Sequence, residues 1–172
     1  MKTMGTVVKE REQKLLEALT YEVVDGEPIY YRGYKDVLEG KKQPEKVMAS
    51  SALHSKILER LFRLLVKLLP EDKFRICVGE VGVRINDKNV RSLDMAIFYT
   101  KDVRDYENLP HYYPVPPLAT IEVDIRAEVE NDTDYIIQKT NNLLSFGVKK
   151  VMWYLNLRGI KGEGFFNGAM RF

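Results

Sequence analysis

The spacing of apolar residues changes along the chain, and these changes divide it into predicted helices and strands. The apolar positions of residues 4–19 are sparse and predict a short polar helix. Asp25-Gly26 lies between two apolar segments, so residues 21–31 are predicted to form a β-hairpin. Residues 33–48 are rich in Lys and Glu, and we expect a mobile or weakly helical connection there.

The pattern is clearest in the middle of the chain. Leucines and isoleucines at helical spacing after Ser50 and Ser51, both N-cap candidates, predict a long helix that Pro70 ends. Two apolar runs, 74–85 and 90–99, flank the polar turn 86–89 and predict an antiparallel pair of strands.

The C-terminal half of the chain predicts a strand–helix–strand unit. Its expected elements are a Pro- and Tyr-rich surface loop (101–117), a strand (118–125), a helix (133–146) that Gly147 ends, a strand (148–157) and a last strand (165–172). Because the loop after the helix is short, strands 118–125 and 148–157 are expected to be parallel. The predicted fold class is α/β, with a mixed β-sheet flanked by helices.

The composition is that of an ordinary folded domain. The chain has 172 residues, 45% hydrophobic and 30% charged, so we expect a single domain over residues 1–172, with an N-terminal helical extension at 1–20. The formal net charge is +2, so any contact with nucleic acid must come from a local basic patch. The single Cys77, together with the absence of an apolar run of roughly 20 residues and of a signal-peptide core, predicts a cytoplasmic protein without a membrane partner.

Acidic residues lie inside two of the apolar strands. Asp94 belongs to the run 92–99, and Glu122 belongs to the run 118–125. A carboxylate in the middle of a covered sheet is costly unless it is paired, hydrogen-bonded or bound to a metal. Asp124 points to the same face of its strand as Glu122, so the acids of two neighbouring strands can converge on one cation. Oxygen ligands of this kind suit Mg²⁺ or Mn²⁺.

Each of these acids also has a plainer interpretation. Asp94 could mark the end of a strand that reaches solvent, and Glu122 with Asp124 could belong to one solvated face. Counting around the turn 86–89 places Glu80 close to Asp94 or a neighbour. Glu80 is therefore either a further metal ligand or a salt-bridge partner within the strand pair.

Basic residues near these acids are further candidates. Lys139 flanks the apolar stripe of the predicted helix 133–146, where its charge could orient a nucleophilic water or stabilise a phosphoryl oxygen, although most helix lysines are surface groups. His54, at the start of the long helix, is an auxiliary site candidate; such a histidine is usually a satisfied or surface side chain. Three basic residues near the hairpin tip could touch a phosphate backbone or could serve solubility alone: Arg84, Lys88 and Arg91.

Seven pieces of the chain occur in an order typical of one family. The pieces are 21–27, the helix start at 51–54, 80–84, 93–98, 121–123, Lys139 and 147–154. Together they resemble the Uma-two family of restriction-endonuclease-like proteins, a branch of the PD-(D/E)XK nuclease superfamily. The resemblance runs from about residue 20 to 157 and implies the restriction-endonuclease core. It also implies that Asp94 and Glu122 are the motif metal ligands, and that Lys139 is the motif lysine moved from the strand to the following helix.

The chain departs from the family pattern at two positions. Leu93 stands where a proline usually precedes the motif aspartate, a change that a strand tolerates. Asp124 stands at the position of the usual strand lysine. Three explanations remain open: Lys139 takes the role of that lysine, Asp124 is an extra metal ligand, or the site has lost its activity.

The resulting hypothesis is a Mg²⁺- or Mn²⁺-dependent nuclease that hydrolyses phosphodiester bonds of nucleic acid, DNA in the first place. The candidate metal ligands are Asp94, Glu122, Asp124 and Glu80. The candidate catalytic residues are Asp94, Glu122 and Lys139. The alternative is a catalytically inactive nucleic-acid-binding, regulatory or interaction protein on the same fold. The tyrosines of loop 106–117 could stack bases or mediate self-association, and analogy with restriction-like nucleases favours a homodimer.

Overall fold

The computed structural model describes residues 4–125 and 129–155, with side chains from residue 9 and, after the gap, from residue 133. The predicted strand 165–172 lies outside the described residues. The elements in chain order are α1 (Met4–Ala18), β1 (Thr20–Val24), β2 (Glu27–Tyr30), α2 (Tyr34–Leu38), α3 (Glu45–Met48), α4 (Ala52–Leu68), β3 (Phe74–Asn86), β4 (Asn89–Tyr99), α5 (Thr100–Val103), β5 (Ala119–Asp124), α6 (Val129–Phe146) and β6 (Lys150–Leu155).

A mixed β-sheet forms the centre of the molecule, as the sequence predicts. Its strands lie in the order β2-β1-β4-β5-β6, and β3 pairs with β4 as well. The pairs are antiparallel except for β5 and β6, which are parallel and joined through α6. Strand β4 contacts three neighbours, so residues on β1, β4 and β5 come close together near its middle.

Each face of this sheet is covered by one long helix. Leu143 of α6 packs with Val83, Ala96 and Phe98 in one buried cluster. Leu58 of α4 packs with Met95, Ile121 and Val123 in another. Since the two clusters together remove most of the apolar strand residues from water, both helices are held by hydrophobic burial.

The alternation of faces along β4 is interrupted around Asp94. Leu93 packs in the cluster beneath α6, whereas Met95, two residues later, packs in the cluster beneath α4. The paired strand β3 carries a β-bulge at the same level, with Gly79 and Glu80 both at positive φ. A bulge increases local twist and redirects side chains, so Asp94 lies where the strand changes its packing partner.

The structure refines the sequence predictions at two connections. The segment 33–48, predicted as a mobile or weakly helical connection, contains two short helices, α2 and α3. The loop 101–117 is not wholly a surface loop: Tyr113 forms a β-bridge to Val83, and its ring lies 4.7 Å from that of Phe98. Tyr113 is therefore partly buried and packs against the cluster beneath α6.

No helix within the described residues is both long and apolar enough to span a membrane.

Gly147 ends α6 at a φ of 117°, a conformation that L side chains rarely adopt. A Cβ at this position would also lie 3.2 Å from Cγ of Pro116. We therefore expect Gly147→Ala to lower the free energy of unfolding by about 1–3 kcal/mol. Urea denaturation measures this, with Ser145→Ala on the exposed side of the same helix as the control. Equal stability of the two variants would contradict this account of the helix end.

Candidate functional site

Lys139 lies at the centre of a buried ionic cluster. It is on the buried side of α6, one turn from Ile136 and Leu143, and only 1% of it is exposed. Its Nζ donates to the carbonyl oxygen of Ser92 at 2.6 Å and to Oε2 of Glu122 at 2.8 Å, and lies 3.0 Å from Oε1 of Glu22. An ammonium group has three hydrogens, so these acceptors account for all of them.

Glu22 of β1 is the second anion of this cluster. Its Oε1 accepts a hydrogen bond from the backbone N–H of Ser92. Its Oε2 accepts hydrogen bonds from Nη1 of Arg91 at 2.8 Å and from the hydroxyl of Tyr135 at 3.0 Å. Arg91 is fully buried and also donates to Oδ1 of Asn142. The hairpin strand β1, strand β4 and helix α6 are thus linked through one carboxylate.

The formal charges in this cluster balance when Glu122 is ionised. Two cations, Arg91 and Lys139, face two acids, Glu22 and Glu122, all of them buried. Burial alone would raise the pKa of Glu22, but the neighbouring Lys139 and Arg91 outweigh it and hold this pKa below its ordinary value. Burial alone would lower the pKa of Lys139, but the carboxylates raise it well above its ordinary value. Lys139 is therefore a cation in the folded protein.

Aromatic rings surround the ammonium group of Lys139. The ring centroids of Tyr21, Tyr135 and Trp153 lie 5.8, 5.7 and 5.8 Å from its Nζ. Trp153 is oriented by a hydrogen bond from Nε1 to the hydroxyl of Thr140. These rings exclude water while offering their negative faces to the cation.

Asp94 is held by contacts from two neighbouring elements. Its Oδ2 accepts the backbone N–H of Val123 in β5 at 2.8 Å, and its Oδ1 lies 3.3 Å from Nε2 of His54. His54 is in the first turn of α4, where its own N–H donates to the N-cap hydroxyl of Ser51. The capping interaction therefore also places the imidazole against Asp94.

Glu122 lies on β5 next to the residue that Asp94 contacts. Only Oε2 is used by Lys139; Oε1 is buried and has no hydrogen-bond partner among the described residues. Burial raises the pKa of Glu122 to about 8 against the effect of Lys139, and the carboxylate of Asp94 adds to the rise. Glu122 thus offers one acceptor oxygen that the described protein groups leave without a donor.

Glu80 and Asp124 lie at the edge of the same site. A cavity of about 520 Å³ is lined by both of them together with Asp94, Glu122 and His54. Glu80, on the bulge, accepts the hydroxyl of Tyr31 at 2.8 Å. The Asp124 carboxylate is partly exposed, 4.0 Å from the guanidinium of Arg32. Nowhere in the described part of the chain do three Asp, Glu, His or Cys side chains form a ready-made cation cage.

Sequence reasoning missed Glu22 and misplaced Arg91. Arg91 was expected at a solvated hairpin tip, but it is buried because β1 and α6 both cover this part of β4. One signal in the sequence indicated the burial of Arg91. It lies two positions before the apolar Leu93, so both side chains point to the same face of a regular strand. The partner Glu22 is 69 residues away in sequence and becomes adjacent only through the β1–β4 pairing.

No family model matches this chain, and no curated protein matches it. Among solved structures, it is similar to a crystal structure from Anabaena variabilis ATCC 29413 described as "a putative nuclease belonging to DUF820". The TM-score is 0.56 at 14% sequence identity, and the match covers 78% of this chain and 65% of the other, less than two thirds of its length. The likeness confirms the predicted α/β fold, a mixed β-sheet flanked by helices.

We expect Lys139→Met to destabilise the fold strongly, because it leaves Glu22 and Glu122 buried without their shared cation. Removal of one partner of a buried ion pair costs about 3–5 kcal/mol. The control is Lys149→Met at an exposed position, where little change is expected. Urea denaturation measures both, and similar midpoints for the two variants would show that the cluster does not stabilise the fold.

The raised pKa of Glu122 has a predicted effect on the pH dependence of stability. Between its ordinary pKa of 4.5 and its folded pKa of about 8, the folded protein holds a proton that the unfolded chain has released. The stability of the wild type therefore falls as pH rises through this range. Glu122→Gln cannot titrate, so its stability relative to the wild type should increase from about pH 5 to about pH 8. A difference that stays constant with pH, measured by chemical denaturation, contradicts the raised pKa.

Proposed function

We propose that this protein is a nuclease that hydrolyses phosphodiester bonds with the help of Mg²⁺ or Mn²⁺. The observation that carries the proposal is the pair of Asp94 and Glu122, held on adjacent strands beside one cavity, with an oxygen of Glu122 left without a donor by the described residues. The similarity to a structure described as a putative nuclease supports the same reaction class.

The residues present fit a hard divalent cation. Asp94 and Glu122 supply carboxylate oxygens, and the buried Oε1 of Glu122 is an acceptor whose desolvation a cation would offset. Mg²⁺ commonly binds through only one or two carboxylates and keeps several waters, so a two-carboxylate site needs no larger cage. Asp124 and Glu80, at the edge of the cavity, are the further candidate ligands.

A bound divalent cation would supply Lewis-acid activation of the phosphoryl oxygen and of a water molecule. The protein groups have separate tasks. The Val123 N–H and His54 orient the Asp94 carboxylate from two sides. Lys139 holds one oxygen of Glu122 and so directs the other away from itself.

The geometry gives Lys139 an indirect role in this mechanism. All three of its hydrogens are matched by acceptors in Ser92, Glu122 and Glu22, so none remains for a water or a phosphoryl oxygen in this conformation. Lys139 is therefore proposed as a positioning residue that orients Glu122 and offsets its charge, instead of contacting the substrate.

A binding or regulatory protein without turnover is the second candidate function. The observation that favours it is the same saturation of Lys139, together with Asp124 at the position where the family pattern has a lysine. No other lysine lines the cavity within the described residues. This candidate predicts ligand binding without cleavage.

A cleavage assay with Mg²⁺ or Mn²⁺ distinguishes the two candidates. We expect the wild type to cleave nucleic acid and Asp94→Asn to lose activity by at least about 100-fold, since a metal ligand supports several kcal/mol of transition-state stabilisation. The control is Asp87→Asn in the exposed turn between β3 and β4, which should keep full activity. Equal rates for wild type and Asp94→Asn, or no cleavage by any of the three proteins, would overturn the nuclease proposal.

A further inference from the structure

The candidate carboxylates are buried below the protein surface. Glu122 is 2% exposed, and the side chain of Asp94 is 14% exposed. A phosphodiester group must therefore enter the cavity to reach them. In a double helix the bases are already paired and stacked, so a base must leave the stack before it can contact the cavity wall. An unpaired strand is flexible enough to enter.

The cavity has the size of a small-ligand site. Its volume of about 520 Å³ lies within the range of roughly 300–1,000 Å³ that holds one compact ligand. Its lining includes two short chain segments, 29–32 and 47–51, in addition to the residues of the carboxylate site. One nucleotide unit, with its base, sugar and phosphate, matches this space.

The charge of the cavity lining does not suit a contact with many phosphates. Four acids line it: Asp94, Glu122, Asp124 and Glu80. Within the described lining, the cations are Lys139, which is enclosed in the buried cluster, and Arg32, which lies 4.0 Å from Asp124. Duplex-binding surfaces instead neutralise several phosphates with Lys and Arg.

The cavity has few cations for contact with phosphates, but it has tyrosine rings for contact with a base. Tyr30 and Tyr31 both line it. The ring of Tyr31 is supported by the ring of Tyr21 at 5.1 Å, and its hydroxyl is anchored on Glu80. Such a held ring is a platform for stacking a base, an interaction that every base can make.

We propose that the site takes an unpaired nucleotide of single-stranded nucleic acid, with one phosphate at the divalent cation that Asp94 and Glu122 would hold and the attached base against Tyr31. This inference rests on the proposed function and narrows its substrate class. Binding then depends mainly on stacking and on the contact of that single phosphate with the cation. The same chemistry applies to unpaired DNA and unpaired RNA.

Fluorescence anisotropy tests the proposal with a labelled strand of about 12 nucleotides and with the duplex formed from it. The full chain is used with Ca²⁺ in place of Mg²⁺, and a denaturing gel checks that the strand stays intact. We expect the single strand to bind at least about tenfold more tightly than the duplex, as loss of base stacking implies. We also expect a shallow salt dependence, with a slope no steeper than about −1.5, since each phosphate contact contributes about −0.7.

Variants at Tyr31 separate the ring from the hydroxyl. Tyr31→Ala should weaken strand binding by about tenfold, whereas Tyr31→Phe keeps the ring and should bind within about twofold of the wild type. Tyr112→Ala is the matched control, because Tyr112 is an exposed tyrosine that packs over Gly82 and does not line the cavity. Thermal melting of each variant checks that it is folded.

Three results would overturn the inference: a duplex that binds as tightly as the strand, no binding of either, or a folded Tyr31→Ala variant that binds the strand normally. These binding results are independent of turnover. A protein that binds the strand but never cleaves it with Mg²⁺ or Mn²⁺ would overturn the nuclease proposal and leave the substrate inference standing.

Discussion

The ammonium group of Lys139, enclosed between the carboxylates of Glu22 and Glu122, is the interaction on which the rest of the site depends. A buried charge without a partner costs several kcal/mol, so α6, β1 and β5 must stay where their three charged groups meet. Arg91 supplies the fourth formal charge, so the cluster is neutral when Glu122 is ionised. The hairpin of β1 and β2 is therefore part of the site, although it is far from the strand–helix–strand unit in sequence.

The same constraint decides which atoms remain available for chemistry. The hydrogens of Lys139 and the oxygens of Glu22 already take part in hydrogen bonds or ion pairs. Among the described residues of the site, the oxygens of Asp94 and Glu122 are therefore the atoms best placed to bind a further group. Asp94 is fixed by a backbone N–H, which moves only if β5 moves. A rigid pair of acids beside a cavity with few cations favours one metal-bound phosphate over an extended contact with a polyanion.

Local sequence signals predict most of the fold. Asp25-Gly26, the Ser51 cap, the turn 86–89 and Gly147 each act within a few residues, and the hairpin, α4, the β3–β4 pair and the end of α6 follow from them. The sequence indicated Asp94 and Glu122 as candidate site residues because each is an acid inside an apolar strand.

Long-range features of the site could not be predicted in this way. The partnership of Glu22 with Arg91 requires the β1–β4 pairing, which no local pattern encodes. Counting around the turn placed Glu80 close to Asp94 or a neighbour, and the register of β3 agrees with this. The bulge at Gly79 and Glu80, and the hydrogen bond from Tyr31 to Glu80, follow from no local pattern. The burial of Lys139 depends on which face α6 presents to the sheet, and its flanking position on the helix left that open.

A crystal structure with Mn²⁺ introduced into the protein tests the central claim most directly. We predict one anomalous-scattering peak within bonding distance, about 2.0–2.3 Å, of oxygens from both Asp94 and Glu122, with Lys139 still bound to Glu22 and Glu122. A fully loaded crystal without a peak between these two carboxylates, or with Lys139 displaced from Glu122, would contradict the account.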